Sequence, residues 1–291
     1  MRIVNTFISD GGPLPSYTEV SLRQARKTNP DVEIDFICKD DQELFSEVGV
    51  NWIPQESIQS SELDMFNEVC WFKRHGTPNT TFKSPNLFWH RTCERIYYLE
   101  AYISQQNMQN VFHFENDVLL YGHLSTVPVI DDVAMVLPMS RNKATFAFCH
   151  ISEPNNLHSV CKYFTWLMSS YGETRLSQHL GDHVSEMSLL YMALREHIVA
   201  ALPTLPTYGA QDGILTEQTN EMVFDPGSYG QFLGGTNNGH GAGFTDSQHF
   251  IGELIESGDL QVTFDGTPSV NGVQIFNLHI HGKNLEEFAN V

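Results

Sequence analysis

Residues 111–121 read VFHFENDVLLY, an apolar, strand-like run interrupted by two carboxylates, Glu115 and Asp117. Two residues apart on an extended backbone, both side chains fall on one face. Two like charges side by side at the end of a buried strand cost free energy unless a positive group sits on them. Paired oxygens suit hard divalent cations such as Mg2+ or Mn2+, which commonly hold a diphosphate as well. An isolated ExD is most often a pair of surface carboxylates. This one ends a strand that directly follows a long helix, and open α/β sheets bind ligands beyond the carboxyl ends of their strands.

Three further groups complement that pair. In residues 277–283, NLHIHGK, His279 and His281 alternate with Leu278 and Ile280, so on a strand both imidazoles share a face. Imidazole can ligate a metal, and Lys283 follows a glycine that lets the backbone turn. Alone, two such histidines are more often hydrogen-bonded core or edge residues. Arg91 and Arg95 stand at i, i+4, mildly repulsive unless an acidic group or an anionic ligand lies between them. Pairing with Glu94 or Glu100 is the plain alternative. In residues 181–190, GDHVSEMSLL, Ser185 or Asp182 can cap a helix, and helix-dipole stabilisation is reason enough for acids there. The chemical alternative makes Glu186 or Asp182 a general base that takes a proton from a hydroxyl. No GxxxxGK[ST] loop, GxSxG elbow, HExxH or dinucleotide-binding glycine fingerprint occurs.

These groups need a frame. Residues 2–8 and 33–38 read as short buried strands around a helix at about 16–28, a β-α-β opening that favours a parallel sheet with right-handed crossovers. A short helix is expected at 41–48 and an irregular stretch at 50–80. A long helix follows from Ser84 (N-cap) and Pro85 (N1) to about Gln106–Asn107. The strand VFHFENDVLLY comes next, then strands at 133–138 and 144–150 and helices at 155–171 and 183–197. Residues 205–250 are glycine-rich and loop-like, and long loops of that kind are often functional. The chain finishes with a strand-like 273–282 and a short polar helix.

Composition narrows the function classes. The 291 residues carry 35 acidic against 16 basic side chains, a formal charge of −19 that opposes phosphate backbones and so a nucleic-acid partner. An anionic ligand would need local positive charge from clustered Arg/Lys or a metal ion. No apolar run approaches the roughly 18–20 residues of a membrane span. The start, MRIVNTFISDGG, reads as a core strand without a secretory h-region. Cys38, Cys70, Cys93, Cys149 and Cys161 lack CxxC spacing and fit reduced thiols in a cytoplasmic protein.

With these residues assembled, the sequence resembles the GT-A-type, nucleotide-sugar-dependent glycosyltransferases. The likeness rests on NTFISD, FWHRTCERIYYLEAY, FENDVLLY and LHIHGKNL. In addition, FDPGSYGQFLGG (224–235) is similar to a segment of microbial and viral members that end in LHxHxK. The resemblance implies an α/β, GT-A-like (Rossmann-like) fold. Its central sheet would be mixed and mostly parallel, flanked by helices, with a loop-rich C-terminal half. One catalytic domain would span 1–291, with 1–122 binding the nucleotide and 123–291 binding the acceptor and supplying the terminal metal and diphosphate segment. It also implies roles. Asp117 would ligate the metal, and Glu115 would reach it or the ribose through water, in a departure from the family's DxD. His281, or His279 in its place, would complete the metal shell, and Lys283 would hold the diphosphate. Thr6 and Phe7 would line the nucleoside pocket, and Asn116, Arg91 and Arg95 would face the donor. Glu186 matches the acidic base of inverting members, with Asp182 beside it, while Asp225 and Gln231 would fall in the acceptor or sugar pocket. The implied activity moves a sugar from a UDP- or GDP-sugar to a carbohydrate or glycoconjugate hydroxyl, with Mn2+ or Mg2+ as cofactor. A retaining enzyme would need no such base, because the leaving phosphate can take the proton. A sugar nucleotidyltransferase and a non-catalytic carbohydrate-binding protein are the alternatives.

Overall fold

The computed structural model describes residues 1–9, 12–73, 87–128, 134–180, 184–206, 221–237, 239–246 and 249–291. The first elements are β1 (Arg2–Phe7), α1 (Tyr17–Thr28), β2 (Glu33–Cys38), α2 (Glu43–Val48), β3 (Val50–Pro54) and α3 (Ser61–Val69). Then come α4 (Phe88–Gln105), β4 (Val111–Phe114), β5 (Val118–Leu120), β6 (Ala134–Ser140) and β7 (Lys143–Ile151). Next are α5 (Pro154–Ser170), α6 (Glu173–Leu180), α7 (Glu186–Arg195), β8 (Val199–Ala201), β9 (Met222–Val223) and α8 (Ser228–Gly234). The last are α9 (Phe250–Ser257), β10 (Val262–Phe264), β11 (Pro268–Val270), β12 (Val273–Ile275) and β13 (Asn277–His279).

The main sheet has the order β3-β2-β1-β4-β7-β6-β8, and β7 alone runs antiparallel to its neighbours. β1 pairs in parallel with β2 on one side and β4 on the other. Its central strands are near-continuous apolar runs because both faces are covered. One face packs Cys93, Ile96, Tyr97, Phe164 and Leu189 from α4, α5 and α7. The other packs Leu22 and Ala25 of α1 and Phe45 of α2. This is the mixed, mostly parallel central sheet flanked by helices that the sequence implied. No helix among the described residues is long and apolar enough to cross a membrane, and the five cysteines are buried and free.

Four local expectations need correction. VFHFENDVLLY is two strands: the Val118 amide donates to the Glu115 carbonyl (3.1 Å), turning the chain over residues 115–117. A carboxylate pair with a polar Asn between breaks the ladder where the apolar run itself gives no sign of it. The described part of the stretch expected to be irregular, residues 50–73, is more regular than that: β3 extends the parallel sheet and α3, capped by Ser60, packs Leu63 and Phe66 inward. The strand-like 273–282 splits at Phe276: β12 joins β9 in a small sheet, while β13 pairs with β5. The final polar helix is only a 3-10 turn at Leu285–Glu287. The expected helix start at Ser84–Pro85 lies outside the described residues.

Candidate active site

After β3 the chain returns through α4 to the far side of β1, so the strand order reverses between β1 and β4. Open α/β sheets form their ligand crevice beyond the carboxyl ends of strands at such a switch point. Thr6 and Phe7 end β1, and Glu115, Asn116 and Asp117 follow β4. Asn116 ties the two ends together by donating from Nδ2 to the Thr6 carbonyl (3.2 Å).

The far end of the sequence reaches this crevice through β5. Ser21 and Gln24 of α1 donate side-chain hydrogen bonds to the Val118 and Leu120 carbonyls (2.6 and 2.9 Å), which anchors β5 on one edge. β13 pairs antiparallel on the other edge, with His279 opposite Val118, and the Ile280 amide donates to the Asp117 carbonyl (2.9 Å). Two glycines set the depth of this packing. A methyl at Gly230 of α8 would overlap the His279 carbonyl oxygen, and one at Gly282 would overlap the Gly234 carbonyl oxygen. Asp225 fixes the same junction: it accepts from the Gly227, Tyr229, Gly230 and His279 amides at 2.7–2.9 Å. Lys283 then takes a left-handed backbone (φ 62°) that turns its side chain toward Asp117.

The resulting cluster brings Glu115, Asp117 and His279 together, with one ligand atom of each within 4.8 Å of the others. His279 Nε2 lies 3.2 Å from Asp117 Oδ2 and 3.4 Å from Glu115 Oε2, and the Lys283 ammonium pairs with Asp117. Arg95 Nη2 bridges Glu115 Oε1 (2.6 Å) and Glu186 Oε1 (3.1 Å). Basic and acidic groups therefore alternate along Lys283, Asp117, His279, Glu115, Arg95 and Glu186.

The electrostatics follow from burial and neighbours. Burial would push Asp117 up, but His279 and Lys283 outweigh it and hold the carboxyl well below the usual range. Burial acts against Glu115 in the same way, and Arg95 and His279 keep it anionic. Burial opposes protonation of His279, yet Asp117 raises its pKa. Glu186 differs: burial dominates over the Arg95 guanidinium and moves it to about 7. A carboxyl in that range can take a proton near neutral pH, where an ordinary glutamate is a weak base.

Two anionic carboxylates and an imidazole facing them fit a divalent cation, with the oxygens suited to Mg2+ and the mixed set to Mn2+. His279 Nδ1 has no hydrogen-bond partner among the described residues, while His281 Nδ1 lies 2.9 Å from the Gln231 amide nitrogen. The two rings pack edge to face at 4.3 Å. Of the remaining expected residues, Thr6 is buried with Oγ1 unpartnered, and Phe7 packs against the core on the α1 side. Arg91 pairs with Glu94. Asp225 gives both oxygens to backbone amides, and Gln231 faces His281. Asp182 lies outside the described residues.

One residue that sequence reasoning missed stands beside the cluster. A cleft of about 250 Å³ opens next to Lys283, lined by Ser16, Tyr17, Val20 and Asn284, with the Lys283 ammonium 5.3 Å from the Tyr17 ring centroid. Tyr17 opens an amphipathic helix far from every motif, and only the docking of α1 on β5 brings it here. The buried polar positions Ser21 and Gln24 were the available signal that α1 contacts more than an apolar core.

No known protein family's sequence profile matches the chain, and no curated protein sequence does. The chain is similar in part to several solved structures. The PaToxG glycosyltransferase is 11% identical over 68% of this chain and 69% of its own, with a TM-score of 0.39. Mouse xyloside xylosyltransferase 1 is 8% identical over 69% and 83%, at 0.43. The galactosyltransferase LgtC, solved with donor and acceptor sugar analogs, is 14% identical over 70% and 73%, at 0.39. At such identity the likeness does not extend to particular site residues.

Proposed function

We propose that this chain is a metal-dependent glycosyltransferase that moves a sugar from a nucleoside diphosphate sugar to a hydroxyl of a carbohydrate or glycoconjugate. The observation that carries the reading is the convergence of Glu115, Asp117 and His279 from opposite ends of the sequence, with Lys283 against them. Asp117, His279 and Glu115 would hold the cation, which when bound supplies Lewis-acid stabilisation of charge developing on the departing diphosphate.

The chain's own groups divide the remaining work. Lys283 leaves Asp117 to grip a phosphate oxygen, and Tyr17 and Asn284 wall the neighbouring cleft. Thr6 and Asn116 present buried polar atoms without partners, Thr6 Oγ1 and Asn116 Oδ1, to the nucleoside end of the crevice. Glu186 accepts the proton of the acceptor hydroxyl as that oxygen attacks the anomeric carbon, opposite the leaving diphosphate, so the configuration inverts. Arg95 orients Glu186 and balances the charge it gains on ionising. Asp225 acts as a positioning residue for His279, and Gln231 for His281.

The test is thermal shift with UDP- and GDP-sugars, with and without Mn2+, on the native chain and on Asp117→Ala. Stabilisation that needs both cation and nucleotide, and is lost in Asp117→Ala, is the expected result. Stabilisation by nucleotide that persists unchanged in EDTA and in Asp117→Ala sinks the metal centre.

A further inference from the structure

A second cleft, of about 270 Å³, is formed by residues of α5, α6, α7 and the β6–β7 turn. Tyr163 and Tyr191 supply aromatic walls, Arg141 and Arg195 supply guanidiniums, His179 supplies an imidazole, and Glu196 is the one carboxylate among its described lining residues. On a chain with a formal charge of −19, two guanidiniums beside a single acid among the described lining residues make a locally basic composition.

The cleft continues into an aromatic ridge. Tyr163 stacks on Trp166 with centroids 5.7 Å apart, Trp166 meets Tyr171 edge-on at 5.8 Å, and the Arg175 guanidinium lies 5.2 Å from the Tyr171 ring centroid. Trp166 is 50% exposed, although a side chain of that size usually buries most of its surface. Flat, half-exposed rings beside arginine suit a ligand with an apolar C–H face and a negative charge. The pyranose ring of an acidic sugar has both: its axial hydrogens face an aromatic plane, and its carboxylate or phosphate meets the planar fork of an arginine.

α7 links this cleft to the proposed chemistry. Glu186 opens the helix, and Tyr191, Arg195 and Glu196 lie five to ten positions further on, about 8–15 Å along the axis at 1.5 Å per residue. An oligosaccharide with its reacting end at Glu186 can reach that far.

We infer that the cleft between Tyr163, Tyr191 and Arg195, with Trp166 at its rim, is an outer subsite for an acidic saccharide, which holds the acceptor of the transfer proposed above. This assignment rests on that reading for its role as acceptor site, and on the cleft's own chemistry for its ligand class.

The experiment measures binding of the full chain to immobilised neutral, uronic-acid-bearing, sialylated and phosphorylated oligosaccharides, and to phosphatidylcholine vesicles with and without phosphatidylserine. Trp166→Ala and Arg195→Ala, both surface changes, are run beside the native chain. The expected result is retention of acidic over neutral glycans, weakened about tenfold or more in each variant, with donor-induced thermal shift unchanged. The uronic, sialylated and phosphorylated arms show whether carboxylate or phosphate is read. Equal binding of neutral and acidic glycans, no glycan binding, or capture by anionic vesicles that the same variants abolish, overturns the assignment. Acidic-glycan binding without metal-dependent donor binding refutes the transferase reading and leaves the cleft's ligand class standing. The reverse outcome removes only the cleft.

Discussion

Arg95 stands between Glu115 and Glu186, so its removal leaves two buried carboxylates without the guanidinium that bridges them. Breaking a buried ion pair from one side costs about 3–5 kcal/mol, against 0–1 kcal/mol for a surface pair. Arg95→Met is therefore expected to lose about 3–5 kcal/mol in urea denaturation at pH 7, and a loss under about 1 kcal/mol would show the bridge to be surface-like. Glu186 makes a second prediction, in pH. Its folded pKa, about 7, lies above the value of an unfolded glutamate, so the folded state binds the extra proton. Its contribution to stability is fully present below the unfolded pKa and disappears as pH rises through about 7. Glu115 and Asp117 are shifted downward and run the opposite way, so the native chain's profile alone mixes them. Subtracting the profile of Glu186→Gln isolates the effect: native stability should fall relative to the variant by about 3 kcal/mol between pH 4.5 and 7.5. A flat difference would remove the elevated pKa. As the proposed general base Glu186 must be ionised, so the proposed transfer should rise with pH through about 7 and be lost in Glu186→Gln.

Elements place these residues, and the tightest placement is α8 against β13. Gly230 abuts the His279 carbonyl, backbone against backbone, so neither side can yield by a rotamer change. Gly230→Ala is expected to cost at least the 1–3 kcal/mol typical of overpacking and to abolish the Mn2+-induced thermal shift by displacing His279. Gly241→Ala is the control in the same glycine-rich stretch: nothing lies within 4 Å of its added methyl, and its stability should stay within about 0.5 kcal/mol. A Gly230→Ala chain that keeps its Mn2+ response would separate α8 from the site. The same contact shows why parts of the site were legible in sequence and others were not. Glu115, Asp117, His279 and Lys283 announced themselves because charged and imidazole groups sat in apolar runs, where only a partner makes them tolerable. The helices of the main layers and the early β-α-β unit followed from periodicity. The break between β4 and β5, the strand β3 and the small sheet of β9 to β12 did not, since short strands without alternation look like loops until a neighbour supplies their hydrogen bonds. The resemblance put Asp225 in the acceptor or sugar pocket; the four amides that donate to it come together only in the folded chain, so nothing in the sequence signalled that bonding. Arg95 was expected to face the donor, and its bridge to Glu186, 91 positions away, exists only through the packing of α4 against α7.

The whole molecule sets the field in which a ligand arrives. With a formal charge of −19, the surface repels the proposed donor, a nucleoside diphosphate sugar, at distances where Lys283 and the proposed cation site are only a local exception. Repulsion between exposed charges reaches about 30 Å at 0.01 M salt and about 8 Å at 0.15 M. Diffusional encounter samples that outer field first, so added salt removes the barrier before it weakens the buried contacts of the crevice, which are screened much less. The association rate of a nucleoside diphosphate sugar with the Mn2+-loaded chain should therefore rise with ionic strength between 0.01 and 0.15 M, measured by stopped-flow fluorescence with a labelled nucleotide, while its dissociation rate changes little. A nucleic-acid-binding protein shows the opposite slope, because there the long-range field attracts the phosphate backbone. An association rate that falls with salt would mean that the positive groups around Lys283 and the cation dominate the approach path, and that the acidic surface lies away from the mouth of the crevice.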